Sequence, residues 1–106
     1  MSLGDMKDMF SQMRAAQKQM QEFQKELHKM RVEVSTGGGI VIAIVDGEAT
    51  LVDLEIDTSL LEPDEIKILP KLIKKAVIEA QKKAKNEVSS KVQSMAGGMN
   101  IPGLGQ

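Results

Sequence analysis

The stretch Ile40-Val41-Ile42-Ala43-Ile44-Val45-Asp46-Gly47-Glu48-Ala49-Thr50-Leu51-Val52-Asp53-Leu54-Glu55-Ile56-Asp57 decides the fold. Its first six residues form an unbroken apolar, mostly β-branched run, which reads as a strand. Asp46-Gly47 is a hairpin signal. From Thr50 to Asp57 the chain alternates, with Val52, Leu54 and Ile56 facing in and Asp53, Glu55 and Asp57 facing out. The strand over 40–45 is different, because both of its faces are apolar. Either Ile40, Ile42 and Ile44 or Val41, Ala43 and Val45 need cover beyond a single core, from a helix or a second subunit.

Upstream, Val32-Glu33-Val34 reads as a further short strand, broken by Thr36-Gly37-Gly38-Gly39. Before it, residues 5–31 hold no Gly or Pro. Apolar or small residues recur at Met6, Met9, Met13, Ala16, Met20, Phe23, Leu27 and Met30, a heptad pattern. The spacing predicts one long helix, with Asp5 at its cap and Asp8 in its first turn. The methionine-rich stripe either packs on the rest of the domain or forms a seam against a second helix.

Downstream, Glu62-Pro63-Asp64-Glu65 opens a second helix that reaches about Met95. Its apolar face holds Ile66, Leu69, Ile73, Ala76, Val77, Ala80, Ala84, Val88 and Met95. Pro70 predicts a break near Leu69, or a short first turn followed by a main helix that has Pro70 at its start. The pattern is one α+β domain over residues 1–96, with a Gly-rich flexible tail over 97–106. Met99, Ile101 and Leu104 are the only large apolar residues of that tail, available to dock on a partner.

The chain has 106 residues, 42% hydrophobic and 27% charged, which fits one small globular domain. It has no cysteine and one histidine, His28, which removes thiolate zinc sites, cysteine nucleophiles and a histidine cage. No apolar run is long enough to span a bilayer and no signal-peptide layout opens the chain, so a cytoplasmic protein is expected. Gly37-Gly38-Gly39 lacks the following Lys-Ser/Thr of a phosphate loop and precedes a strand. His28 has no evident carboxylate or nucleophile partner. No catalytic residue, metal site, cofactor or small-molecule substrate is expected.

Charge is more informative than its total of −1. Residues 1–31 carry +2, residues 32–65 carry −9 with no Lys or Arg, and residues 66–106 carry +6. Opposite the first helix's seam lie Lys7, Arg14, Lys18 and Lys25, with no acid among the outer positions of the heptad. On the second helix Lys67, Lys71, Lys74, Lys75, Lys82 and Lys85 share an arc of about 100° away from the apolar face. Two basic stripes suit a phosphate backbone. The aromatics are only Phe10 and Phe23, so no stacking platform is evident, and backbone contact is expected over base readout.

The order long helix, three strands, long helix, glycine tail resembles the YbaB/EbfC family of bacterial nucleoid-associated proteins. Residues 37–47 resemble the family's glycine-led hairpin. Leu54-Glu55-Ile56-Asp57-Thr58-Ser59-Leu60-Leu61 is similar to its "IDPSLL" segment, with Thr58 in place of proline. The stretch from Ala76 to Ala84 is similar to its "AAVNDAxxKA" helix, and Gly97 to Leu104 to its "GGLGLPGL" end. The departures are Pro70, where an acidic or polar helical residue is usual, and Ile42 and Ile44, where polar residues are common.

The resemblance implies a YbaB-like homodimer with projecting helices, nucleoid-associated in the bacterial cytoplasm, that binds double-stranded DNA and is not an enzyme. The expected DNA contacts are Lys7, Arg14, Lys18 and Lys25 from the first helix and Lys71, Lys74, Lys75, Lys82 and Lys85 from the second. The expected dimer interface is Ile40, Val41, Ile42, Ala43, Ile44 and Val45. The alternative is a chaperone or adaptor that binds protein clients through the methionine-rich seam. Salt dependence separates the two, because only DNA binding weakens steeply with salt.

Overall fold

The computed structural model describes residues 2–98. The chain folds as α1 (Leu3–Lys29), β1 (Val32–Thr36), β2 (Val41–Val45), β3 (Leu51–Ile56), two 3-10 turns (Thr58–Leu60 and Pro63–Ile68) and α2 (Leu69–Gly98). The order helix, three strands, helix is the one the sequence predicts. The three strands form one antiparallel sheet in the order β1-β2-β3. Residues 99–106, most of the expected tail, lie outside the described residues, and α2 carries its helical backbone through Gly97 and Gly98.

The first helix begins two residues earlier than expected, and Asp5 is not its cap. Ser2 is the N-cap. Its hydroxyl accepts from the Asp5 N–H at 3.2 Å, and the Asp5 carboxylate accepts from the Ser2 N–H at 3.4 Å. This reciprocal pair satisfies two donors that a helix start leaves open. At the other end His28 and Lys29 occupy the last turn, where positive charge opposes the negative end of the helix dipole.

Cover for β2 comes from inside the chain. Val41, Ala43 and Val45 are fully buried, and the residues that bury them are Ala76, Ala80 and Ala84, spaced four apart on α2. Alanine at three successive turns lets the helix axis approach the sheet closely, so the core is thin and tightly packed. A side-chain-to-backbone bond adds to it, from the Thr36 hydroxyl to the Leu72 carbonyl at 2.9 Å. Gly37 follows with φ +65°, and a Cβ there would come within 2.8 Å of the Leu72 methyl. The glycine run is therefore a shaped turn beside α2, not a slack connection.

This packing divides the residues of the expected interface. Of the six residues from Ile40 to Val45, Ile40, Val41, Ala43 and Val45 are buried in the chain's own core, and Ile42 and Ile44 alone remain half-exposed. β3 also differs from expectation. α2 packs over β1 and β2. Beyond that cover Leu54 is half-buried, whereas Val52 and Ile56 are 45% and 41% exposed and do not join the core.

Pro70 sits where a proline is tolerated. The backbone is 3-10 from Pro63 to Ile68 and turns α-helical at Leu69, so Pro70 falls in the first turn of α2. There the missing N–H removes no interior hydrogen bond. The break expected near Leu69 takes this form. α1, by contrast, has no buried residue. The chain extends 76 × 30 × 15 Å with a radius of gyration of 20.9 Å. A compact domain of this length would have about 13 Å.

Candidate nucleic-acid interface

α1 is held only near its C-terminal end. The Gly47 N–H donates to the Leu27 carbonyl at 2.8 Å, and Lys91 of α2 pairs with Glu26 at 2.7 Å. His28 Nε2 lies 3.3 Å from Glu48 Oε1 and His28 Nδ1 lies 4.0 Å from Asp46 Oδ2. The hairpin loop thus supplies the carboxylates that the sequence did not reveal beside His28. They lie beside the last turn of α1. Among the described residues no group of three such side chains is placed to hold a metal ion.

Above this anchor Gln19, Glu22, Phe23 and Glu26 share a shallow groove with Lys91 and Met95 of α2. Phe23 is half-buried there. Residues 3–18 continue past the groove, exposed at every position. The methionine stripe is thereby split. Its lower part, Phe23, Leu27 and Met30, is half-buried, and its upper part, with Met6, Met9 and Met13, is 46–57% exposed.

All nine expected DNA contacts are exposed: Lys7, Arg14, Lys18 and Lys25 on α1, and Lys71, Lys74, Lys75, Lys82 and Lys85 on α2. Among the described residues none of the nine is within ion-pair distance of a carboxylate. At 100° per residue the α2 lysines lie roughly 120–220° round the helix from the buried Ala80. They face away from the sheet. The α1 stripe likewise faces away from the groove residues that meet α2.

The two stripes are not merged into one patch, because each helix turns its basic face from its neighbour. Nor is the α2 stripe uniform. Lys82 shares a groove beside Val34 with Glu79, Lys83 and Glu87. Lys83, outside the expected set, reaches the Glu33 carbonyl at the edge of β1 at 3.4 Å. The acids occupy the other layer. Glu33, Asp53 and Glu55 pair in register with Ile44, Ile44 and Ile42 across the sheet, on the face opposite α2.

Sequence reasoning missed Phe10. It falls outside the heptad stripe, and it is 60% exposed in a hollow lined by Lys7, Ser11 and Arg14. An aromatic off the seam and one turn from two cations was the signal available.

The profile of the YbaB/EbfC DNA-binding family matches residues 2–99, nearly the whole chain. The chain belongs to the YbaB/EbfC DNA-binding family. Among curated members, a nucleoid-associated protein of Clostridium acetobutylicum is 38% identical over 101 residues, covering 95% of this chain and 90% of that one. Another, from Alkaliphilus metalliredigens, is 37% identical over 100 residues, covering 94% and 88%. The crystal structure of an uncharacterized Helicobacter pylori protein superposes with a TM-score of 0.66 at 21% identity, over 91% of this chain and 98% of that one. At that identity the likeness is one of fold. Among the described residues no helix is long and apolar enough to cross a membrane.

Proposed function

We propose that this protein is a cytoplasmic, nucleoid-associated protein that binds duplex DNA as a homodimer, mainly through phosphate contacts from the basic faces of α1 and α2. It performs no catalysis and takes no cofactor or small-molecule substrate in this reading. One observation carries it. Nine exposed cations stand on the outward faces of two helices, while the acids Glu33, Asp53 and Glu55 occupy the sheet face. Packing alone has no need of that separation, and it directs a polyanion to the helices and away from the sheet.

The second copy answers a shortage of core. The largest fully buried side chains are Val41 and Val45. Ile42 and Ile44 remain half-exposed on the sheet face opposite α2, whereas Leu51 and Ile56, paired with Val45 and Val41, are open on the face that α2 partly covers. A second chain laid over Ile42 and Ile44 would complete the centre. The client-binding alternative draws on the exposed Met6, Met9 and Met13.

Gel-shift titration at two salt concentrations decides between them. Phosphate binding lowers log affinity linearly with log salt, by about 0.9 for each phosphate neutralised, and apolar client binding does not. Loss of Arg14, Lys18 and Lys25 together weakens binding to unrelated duplexes alike. Unchanged affinity in this variant removes the α1 stripe from the interface.

A further inference from the structure

We propose that the free half of α1 lies in the major groove of duplex DNA, with Phe10, between Met6 and Met13, against the 5-methyl groups of thymine. The inference rests on the DNA-binding reading and adds a base contact to it. Residues 3–18 are exposed throughout. Sixteen residues of helix span about 24 Å, and a helix with its side chains is about 10–12 Å across, the width of the major groove. An unencumbered helix of this length is what the groove admits.

The arrangement around Phe10 favours DNA over a protein partner. Phe10 is 60% exposed, Met6 46% and Met13 57%. At 100° per residue Met6 and Met13 fall roughly 40° and 60° to one side of Phe10, and Lys7, Arg14 and Lys18 fall roughly 40–80° to the other. Lys25, lower on the helix, falls on the basic side as well. The two acids of the free half, Asp5 and Asp8, lie about 140° or more away, on the back of the helix.

One rotation of α1 therefore presents an apolar strip and a cationic strip side by side, with no carboxylate between them. A base edge flanked by phosphates has the complementary pattern. Thymine is the base that offers an apolar group in the major groove, and phenylalanine is suited to cover it. The cations fix the helix against the backbone, and Phe10 reads what lies between.

The test compares two duplexes of one sequence, one containing thymine and the other uracil, which differ only by methyl groups. Charge and hydrogen bonding are the same in both. The full chain should bind the thymine duplex about fourfold more tightly for each methyl covered. The Phe10→Ala variant should bind both duplexes alike while its salt slope stays that of the parent. Phe10 packs against nothing in the core, so this variant retains its fold, which circular dichroism checks.

Equal binding of the two duplexes by the parent chain overturns the inference and leaves the phosphate reading intact. Persistence of the preference in Phe10→Ala also overturns it, since another group would then read the methyl. Failure of the parent to bind either duplex overturns both readings. Sedimentation of Phe10→Ala at a lower mass than the parent, with no thymine preference in either, assigns the strip to a second copy of the chain instead.

Discussion

The N–H of Gly47 meets the carbonyl of Leu27 at 2.8 Å, and a Cβ on Gly47 would lie 2.9 Å from both the Leu27 Cα and its carbonyl oxygen. The hairpin loop and the last turn of α1 touch backbone to backbone. Glycine here serves close approach. Gly47→Ala must push α1 away from the hairpin or distort both, at a cost of about 1–3 kcal/mol. Urea unfolding should show stability falling by that amount, and unchanged stability would mean that α1 is not seated on Gly47.

The residue of this loop that adopts a left-handed conformation is Ala49, at φ 65°. Asp46 makes it possible. Its carboxylate accepts from the Glu48 N–H at 2.8 Å and the Thr50 N–H at 3.0 Å, and it is nearly buried. Gln81 of α2 adds a bond to the Ala49 carbonyl at 3.1 Å. Alanine pays a steric penalty in this region that glycine does not. Ala49→Gly should therefore raise stability by about 0.5–1 kcal/mol, seen as a higher thermal midpoint. A lower midpoint would show the strain to be absent.

Ala80 touches the sheet with no accessible surface at all, as do Ala76 and Ala84. Ala80→Leu would force several carbons into a gap sized for one. The expected loss is about 1–3 kcal/mol or more, because α2 must lift from β1 and β2 along its length. Ala→Leu on an exposed helix face would change little, since both are strong helix formers. A stability equal to the parent would show the α2–sheet gap to be wider than the structure has it.

The strand order, the two helices and the break before Pro70 were legible because each depends on local pattern: alternation, heptad spacing and proline chemistry. What was not legible depends on which surface covers which. The run from Ile40 to Val45 is apolar on both sides, and nothing local tells which side α2 takes. Val52 and Ile56 alternate as core residues should, yet α2 reaches only β1 and β2, so they stay exposed. The same limit applies to the basic residues. Their stripes could be read from spacing, but the groove that sets Glu79 and Glu87 around Lys82 and Lys83 forms only where α2 passes the edge of β1. His28 met its carboxylates through a loop 18 to 20 residues away, beyond the reach of periodicity.

In the proposed homodimer, Ile42 and Ile44 are the residues of β2 left to meet a second copy. Both project from β2 on the face opposite α2, so Ile42→Asp with Ile44→Asp leaves the Val41–Ala43–Val45 packing untouched. Added carboxylates join Glu33, Asp53 and Glu55 on that face and repel a second copy carrying the same set. Sedimentation should report a monomer that keeps its helical circular dichroism. A dimer that survives both substitutions would move the interface elsewhere.

The lysines of α2 should not contribute equally. Lys71, Lys74 and Lys75 lie on the first turns of α2, exposed and outside the groove that Glu79 and Glu87 share with Lys82 and Lys83. Glu79 stands one turn before Lys82 on α2, and a carboxylate at that spacing neutralises part of the cation's field, so fewer counterions are released when DNA arrives. Removal of Lys71, Lys74 and Lys75 together should flatten the log-affinity against log-salt slope by about 0.9 for each phosphate left without its cation. Removal of Lys82 alone should flatten it by less than one such step. The weakening should be the same for unrelated duplexes, since phosphates carry no sequence. A full step from Lys82 would show that Glu79 does not shield it. A flat response to the triple change would move the α2 grip from the first turns of the helix to Lys82 and Lys85.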